Sequence, residues 1–221
     1  MPPPMRRRIL SRVDIERALF VDYEGNTARP PTLLGWRIKG RNFGAIVEPS
    51  FDVCAGRYRV RSVSAVDHAS KVAELIRLAQ EDDCLIVSWS EHDLKHMRNV
   101  TGEDLRGVLE ARYRNALRTV RAWHGRRHGI AIPDASLSEV AHLLGIHVPQ
   151  RYGVGLVGDA LRLIREQLNQ GRSWPELTPA ARSGWVTVVK HNRYDLQAMQ
   201  EVLQVITADP VFTTAAAQGL G

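Results

Sequence analysis

Two short segments of this chain place acidic side chains where apolar ones belong. LFVDYEG (19–25) sets Asp22 and Glu24 two residues apart in an apolar run. KHNRYDLQAM (190–199) sets His191 and Asp195 four residues apart. In a strand, side chains two apart share a face, so Asp22 and Glu24 point the same way. At 100° per residue, Val188, Met199, Val202 and Ile206 fall in one narrow helical arc, with Asp195 inside it and His191 at its edge. Carboxylates crowded into covered positions repel one another and lose hydration, and a divalent cation removes both costs. Asp-x-Glu alone also fits a solvated strand end, and Asp195 alone also fits an internal ion pair with an arginine.

A third acid, Asp93, lies in SWSEHDLKHM (88–97), directly after the apolar run CLIVSW. Ser90-x-x-Asp93 reads as a capping box with Asp93 in the first turn of a helix, a sufficient structural reason for that acid. The same corner would aim its carboxylate at the mouth of the first strand.

The elements that must position these residues follow from pattern. Ala18–Tyr23 reads as a buried strand ended by Gly25, and LLGWRIKG and NFGAIVEP as two more strands in an antiparallel meander. A helix is expected from about Ser70 to Gln80, a fourth strand over CLIVSW, and a helix starting at Ser90. One long helix from Leu105 to Trp123 would put Arg114, Arg118 and Arg121 on a single face. SLSEVAHLLG and DALRLIREQL read as helices. Thr178-Pro179 opens a last helical region, with a break at Gly184, that runs to about Ile206 and ends by Pro210. The expected fold class is α/β, a mixed sheet of antiparallel meander plus parallel strands flanked by helices. It comprises a flexible basic arm (1–17), one domain (18–207) and a flexible tail (208–221).

In order and spacing, LFVDYEG, SWSEHDL and HNRYDLQAM resemble the motifs of the DEDD superfamily of 3′-to-5′ exonucleases, which have a ribonuclease H-like fold. The likeness is nearest to the YprB-like branch, with its Asp-x-Glu strand and Tyr-Asn-x-x-Asp-like helix, and it covers residues 18 to 206. SLSEVAHLLGI is similar to a helix that branch carries. The resemblance implies that Asp22, Glu24, Asp93 and Asp195 hold two divalent cations, Mg²⁺ or Mn²⁺. It further implies hydrolysis of DNA or RNA by a two-metal mechanism, with Asp22 and Asp195 the central ligands. One branch of the superfamily has a histidine five residues before the last aspartate and another a tyrosine four before it. His191 has the first chemistry at the second spacing and is the expected general base. The alternatives are an endonuclease on the same fold and a nucleic-acid-binding module without catalysis.

The remaining features bound the class. Thirty basic against 24 acidic residues give a net charge of +6, which suits an anionic partner such as nucleic acid. The Arg114, Arg118, Arg121 face could track a phosphate backbone, and Trp36, Trp89 and Tyr23 could stack on a base, although a solvated face and core packing explain both sets. Two cysteines, Cys54 and Cys84, form neither a disulfide framework nor a zinc cluster, and a reducing cytoplasm is the expectation. No apolar run is long enough to span a bilayer. GVGLVG (153–158) matches the Gly-x-Gly-x-x-Gly pattern but follows no clear strand, so it reads as a loop. His92-Asp93-x-x-His96 has zincin-like histidine spacing without a third ligand.

Overall fold

The first strand, β1 (Leu19–Glu24), is covered on both faces, and its alternation sorts the rest of the molecule. The computed structural model describes residues 9–25, 30–57, 60, 62–130, 132, 135–147, 149 and 155–212. β1 pairs antiparallel with β2 (Leu33–Ile38), and β2 with β3 (Arg41–Ile46). The β2–β3 hairpin turns on Lys39 and Gly40, both at positive φ (48° and 76°), the conformation that matches strand twist in a two-residue turn. A short strand β4 (Val63–Ala65) runs parallel to β3. On the other side, β5 (Ile86–Ser88) runs parallel to β1, and β6 (Tyr113–Asn115) parallel to β5. The sheet order β4-β3-β2-β1-β5-β6, an antiparallel meander joined to parallel strands, is a ribonuclease H-like arrangement.

Helices α1 (Arg12–Arg17), α2 (His68–Glu81), α3 (Glu91–Val100), α4 (Glu103–Arg112), α5 (Ala116–His128), α6 (Leu137–Leu143), α7 (Leu156–Asn169) and α8 (Pro179–Ala208) flank this sheet. Leu19, Val21 and Tyr23 of β1 pack with Val72, Ile76, Leu94 and Leu109 from α2, α3 and α4. Phe20 packs on the other face with Leu196, Met199 and Val202 of α8. Asp22 and Glu24 share the parity of Phe20, so the strand delivers both acids to α8.

Several expectations are corrected. The stretch from Leu105 to Trp123 is two helices separated by β6. The buried Tyr113 bonds Ser88 Oγ through its hydroxyl at 2.6 Å, and the Asn115 side chain caps α5 by accepting from Arg118 N–H. Strand pairing with β5 thus overrides the helical periodicity on either side. Arg114 therefore lies on a strand, Arg118 pairs with Glu91 at 2.9 Å, and the three arginines do not form one helical face. The last helix does not break at Gly184. A Cβ there would meet Ala160 Cβ at 3.1 Å, so the glycine serves close packing of α7 on an unbroken α8. Residues 9–17, expected in a mobile arm, are folded: Ser11 and Asp14 form a capping box on α1, and Leu10 and Ile15 are buried. At the other end, Phe212 is buried in the same cluster. Residues 1–8 and 213–221, the remainder of the expected arm and tail, lie outside the described residues. Cys54 and Cys84 are buried and unpaired with each other. No helix among the described residues is long and apolar enough to cross a membrane.

Candidate active site

The C-terminal end of β1, the middle of α8 and the first turn of α3 come together, with Glu24, His191 and Asp195 within metal-binding reach of one another and the charges of Glu24, Asp195 and Asp93 acting on Asp22. In the β1–β2 register Asp22 faces Gly35. A Cβ on Gly35 would lie 1.6 Å from Asn192 Oδ1, so the missing side chain is the space Asn192 occupies. From there Asn192 Nδ2 donates to the Asp22 backbone oxygen (3.1 Å) and to Asp22 Oδ2 (2.8 Å). One amide thus ties α8 to the first acid. Asn192 is fully buried although it sits on a strongly polar stretch of the helix.

His191 and Asp195 share a face of α8, as their i, i+4 spacing requires. His191 Nδ1 lies 3.0 Å from Glu24 Oε1 and 3.4 Å from Asp195 Oδ2. One ligand atom from each of Glu24, His191 and Asp195 falls within 4.8 Å of the others. Asp93 approaches from α3, and its Oδ1 accepts from the backbone N–H of Tyr23, next to Asp22, at 3.3 Å. Its carboxylate also takes hydrogen bonds from the Ser88 hydroxyl and Ser90 N–H, while the Ser90 hydroxyl accepts from His92 N–H. The capping explanation and the site explanation for Asp93 therefore hold together. Tyr113 braces this corner, since its hydroxyl donates to the Ser90 carbonyl and lies 2.6 Å from Ser88 Oγ.

The electrostatics are those of a site with too much negative charge. Burial and the charges of Glu24, Asp195 and Asp93 push Asp22 well above the ordinary carboxylate range, against the hydrogen bond from Asn192. Burial lifts Asp93 to about 6, despite its hydrogen bonds. Burial, with Glu24 adding to it and His191 opposing, lifts Asp195 to about 7. Burial alone would lower His191, but the hydrogen bond to Glu24 and the charges of Asp195 and Glu24 outweigh it and raise the imidazole. A cation at this point would reverse each carboxylate shift. The donor set is mostly carboxylate oxygen, which fits a hard divalent ion such as Mg²⁺ or Mn²⁺.

Sequence pattern assigned no role to Gly35, Ser88 or Tyr113, nor to Asn192, which stands at the asparagine of the Tyr-Asn-x-x-Asp-like motif. A glycine inside the apolar strand LLGWRI was the available signal, because such a glycine marks close approach of another group. The aromatic residues have other partners. Trp36 stacks on Phe43 (5.6 Å, 14°), and Trp89 Nε1 donates to the Ala135 carbonyl. The Tyr23 hydroxyl pairs with His68 Nε2 at 2.9 Å on the face away from Asp22. Gly155 caps α7, and Leu156–Gly158 form its first turn; Gly153 and Val154 lie outside the described residues. No family model, curated protein or solved structure matches the chain.

Proposed function

We propose that this protein is a metal-dependent nuclease that hydrolyses phosphodiester bonds of DNA or RNA, acting as a 3′-5′ exonuclease of the DEDD type. The carrying observation is the convergence of Asp22, Glu24, Asp93 and Asp195, from three separate elements, with the first, third and fourth held well above their ordinary pKa values. Four acids, two buried and two half-buried, with one imidazole among them are costly unless cations join them. The four carboxylates would hold two Mg²⁺ or Mn²⁺ ions. When bound, such ions lower the pKa of water and stabilise charge on a departing oxygen.

The chain's own groups have separable tasks. Asn192 fixes Asp22 in place, and the Tyr23, Ser88 and Ser90 donors fix Asp93. Glu24 holds His191 through Nδ1, which leaves Nε2 as the nitrogen that takes a proton from the attacking water. A raised imidazole pKa makes it the stronger base for that transfer.

The test is degradation of end-labelled DNA and RNA oligonucleotides with Mg²⁺, Mn²⁺ or EDTA, run beside Asp195→Ala. Stepwise shortening from the 3′ end, lost in EDTA and in the variant, is the expected result. Activity that survives both removes the two-metal reading, and cleavage of a circular substrate makes the enzyme an endonuclease.

One observation favours a second reading, a nucleic-acid-binding module without catalysis. His191 lies between Glu24 and Asp195, where a protonated imidazole can stand in for a cation. Titration calorimetry with Mn²⁺ separates the two: equal heats for wild type and Asp22→Ala support the module.

A further inference from the structure

On the face of β1 away from Asp22 and Glu24, α3 carries, besides Asp93, a second set of ligand-type side chains that the proposed hydrolysis does not use. His92 and His96 are four residues apart on one face of the helix. Their Nε2 atoms lie 3.0 Å apart, with the rings edge-on at 4.5 Å and 87°. As a hydrogen bond, this contact needs one ring to donate and the other to accept. With both Nε2 atoms unprotonated, both lone pairs are available to a single ion bound beside them instead. Bonds of about 2.05 Å from a metal ion to nitrogens 3.0 Å apart make an N–metal–N angle of about 94°. That is the angle between neighbouring ligands in square-planar or octahedral coordination, whereas a tetrahedral ion needs nitrogens about 3.3 Å apart.

We infer that His92 and His96 form a two-imidazole binding site for one square-planar or octahedral transition-metal ion of the Cu²⁺ or Ni²⁺ kind, separate from the carboxylate centre. Imidazole donors select such ions, while Mg²⁺ and Mn²⁺ go to the oxygen-rich site. His96 is half-buried with its ring 5.3 Å from that of Tyr23, which limits its rotation. His92 is exposed, so the other coordination positions face solvent. The third imidazole nearby, His68, is engaged by the Tyr23 hydroxyl and is not a ligand. The Asp93 carboxylate turns inward to Tyr23 N–H and does not complete the site. Lys95, between the two histidines in sequence, opposes any cation here, so binding rests on the nitrogen bonds and not on charge.

The experiment uses the full chain, excess Mg²⁺ and one equivalent of Cu²⁺, read by electron paramagnetic resonance and by calorimetry. Hyperfine splitting from two nitrogens is expected in wild type and in Glu24→Gln/Asp195→Asn, which dismantles the carboxylate centre and leaves His191 as at most one nitrogen. In His92→Ala the two-nitrogen pattern disappears and Cu²⁺ affinity falls at least tenfold, with unchanged circular dichroism. His92→Gln serves if the alanine variant does not fold. A wild-type spectrum without two nitrogens, or the same spectrum in the His92 variant, overturns the site.

Discussion

Two buried charged clusters lie a few residues apart at the same end of the sheet, and they are built on opposite terms. In one, Arg165 of α7 donates to both carboxylate oxygens of Glu48 (3.1 and 2.8 Å) and to Thr32 Oγ1, with its guanidinium over the Phe51 ring. Burial would raise Glu48, but the bonds from Arg165, Thr32 and Ser50 outweigh it and hold the acid low. In the other, four carboxylates share one imidazole, and Asp22, Asp93 and Asp195 are all pushed up. The clusters touch through backbone, since Thr32 N–H donates to the Glu24 carbonyl at 2.8 Å. The first cluster is complete with the protein's own atoms and pins α7 to the meander. The second holds more carboxylates than its one imidazole balances, and that deficit supports the proposed site.

This contrast can be broken at either end. The largest effect expected is on activity: Asp195→Ala lowers nuclease turnover by about three orders of magnitude, on the order of 4 kcal/mol of barrier, while its melting temperature in EDTA stays equal or rises. Unfolding of Asp195→Ala would put that acid with the structural pairs. Next, Arg165→Met strands Glu48 without its partner and costs about 3 kcal/mol in urea unfolding, most of it regained by adding Glu48→Leu. A stable Arg165→Met protein would mean the pinned cluster contributes little.

A smaller effect tests the join between strand and helix. Gly35→Ala drives a methyl into Asn192 and costs about 2 kcal/mol. Adding Asn192→Ala removes the clash, so the double variant is more stable than Gly35→Ala alone; additive losses would show that Asn192 is not what the glycine accommodates.

The smallest effect is a pH slope. Asp93 and Asp195 have folded pKa values of about 6 and 7, above their ordinary 3.8, and His191 is raised above 6.5. Groups raised on folding stabilise the folded chain at low pH, and that contribution is lost as pH rises through the folded values. In EDTA the melting temperature should therefore fall by roughly 3 °C, about 1 kcal/mol, between pH 5 and 8 relative to Asp22→Asn, which relieves the repulsion. Mn²⁺ should restore more stability at pH 8 than at pH 5. Parallel pH profiles for the two proteins would remove the charge deficit as a stability term.

Three of the four acids were readable from the chain because each broke a local pattern: two in an apolar strand, one in the centre of an apolar helical arc. Asp93, with a capping reason of its own, was readable only as part of the ordered set of motifs. Strand and helix types followed from the same periodicities, and so did the mixed sheet. What escaped had no period to show. β6 is three residues long between two stretches of helical spacing, so only pairing with β5 reveals it. Asn192 is a polar residue beside His191, and its role depends on the β1–β2 register that sets Gly35 opposite Asp22. The folded α1 was hidden by the proline- and arginine-rich start, and its Ser11–Asp14 capping box emerges only in the structure.

The unbroken course of α8 has a consequence for how this chain can vary. His191, Asn192 and Asp195 sit near the middle of 30 helical residues, with Trp185 packed on one side of them and Ile206 on the other. One residue added or removed between Trp185 and His191 would turn the site by about 100° and shift it about 1.5 Å relative to the buried residues before it. No loop lies within the helix to absorb the change. Length variation in relatives of this protein should therefore collect in the connections before Pro179 and after Ala208, and α8 should act as a fixed gauge between them.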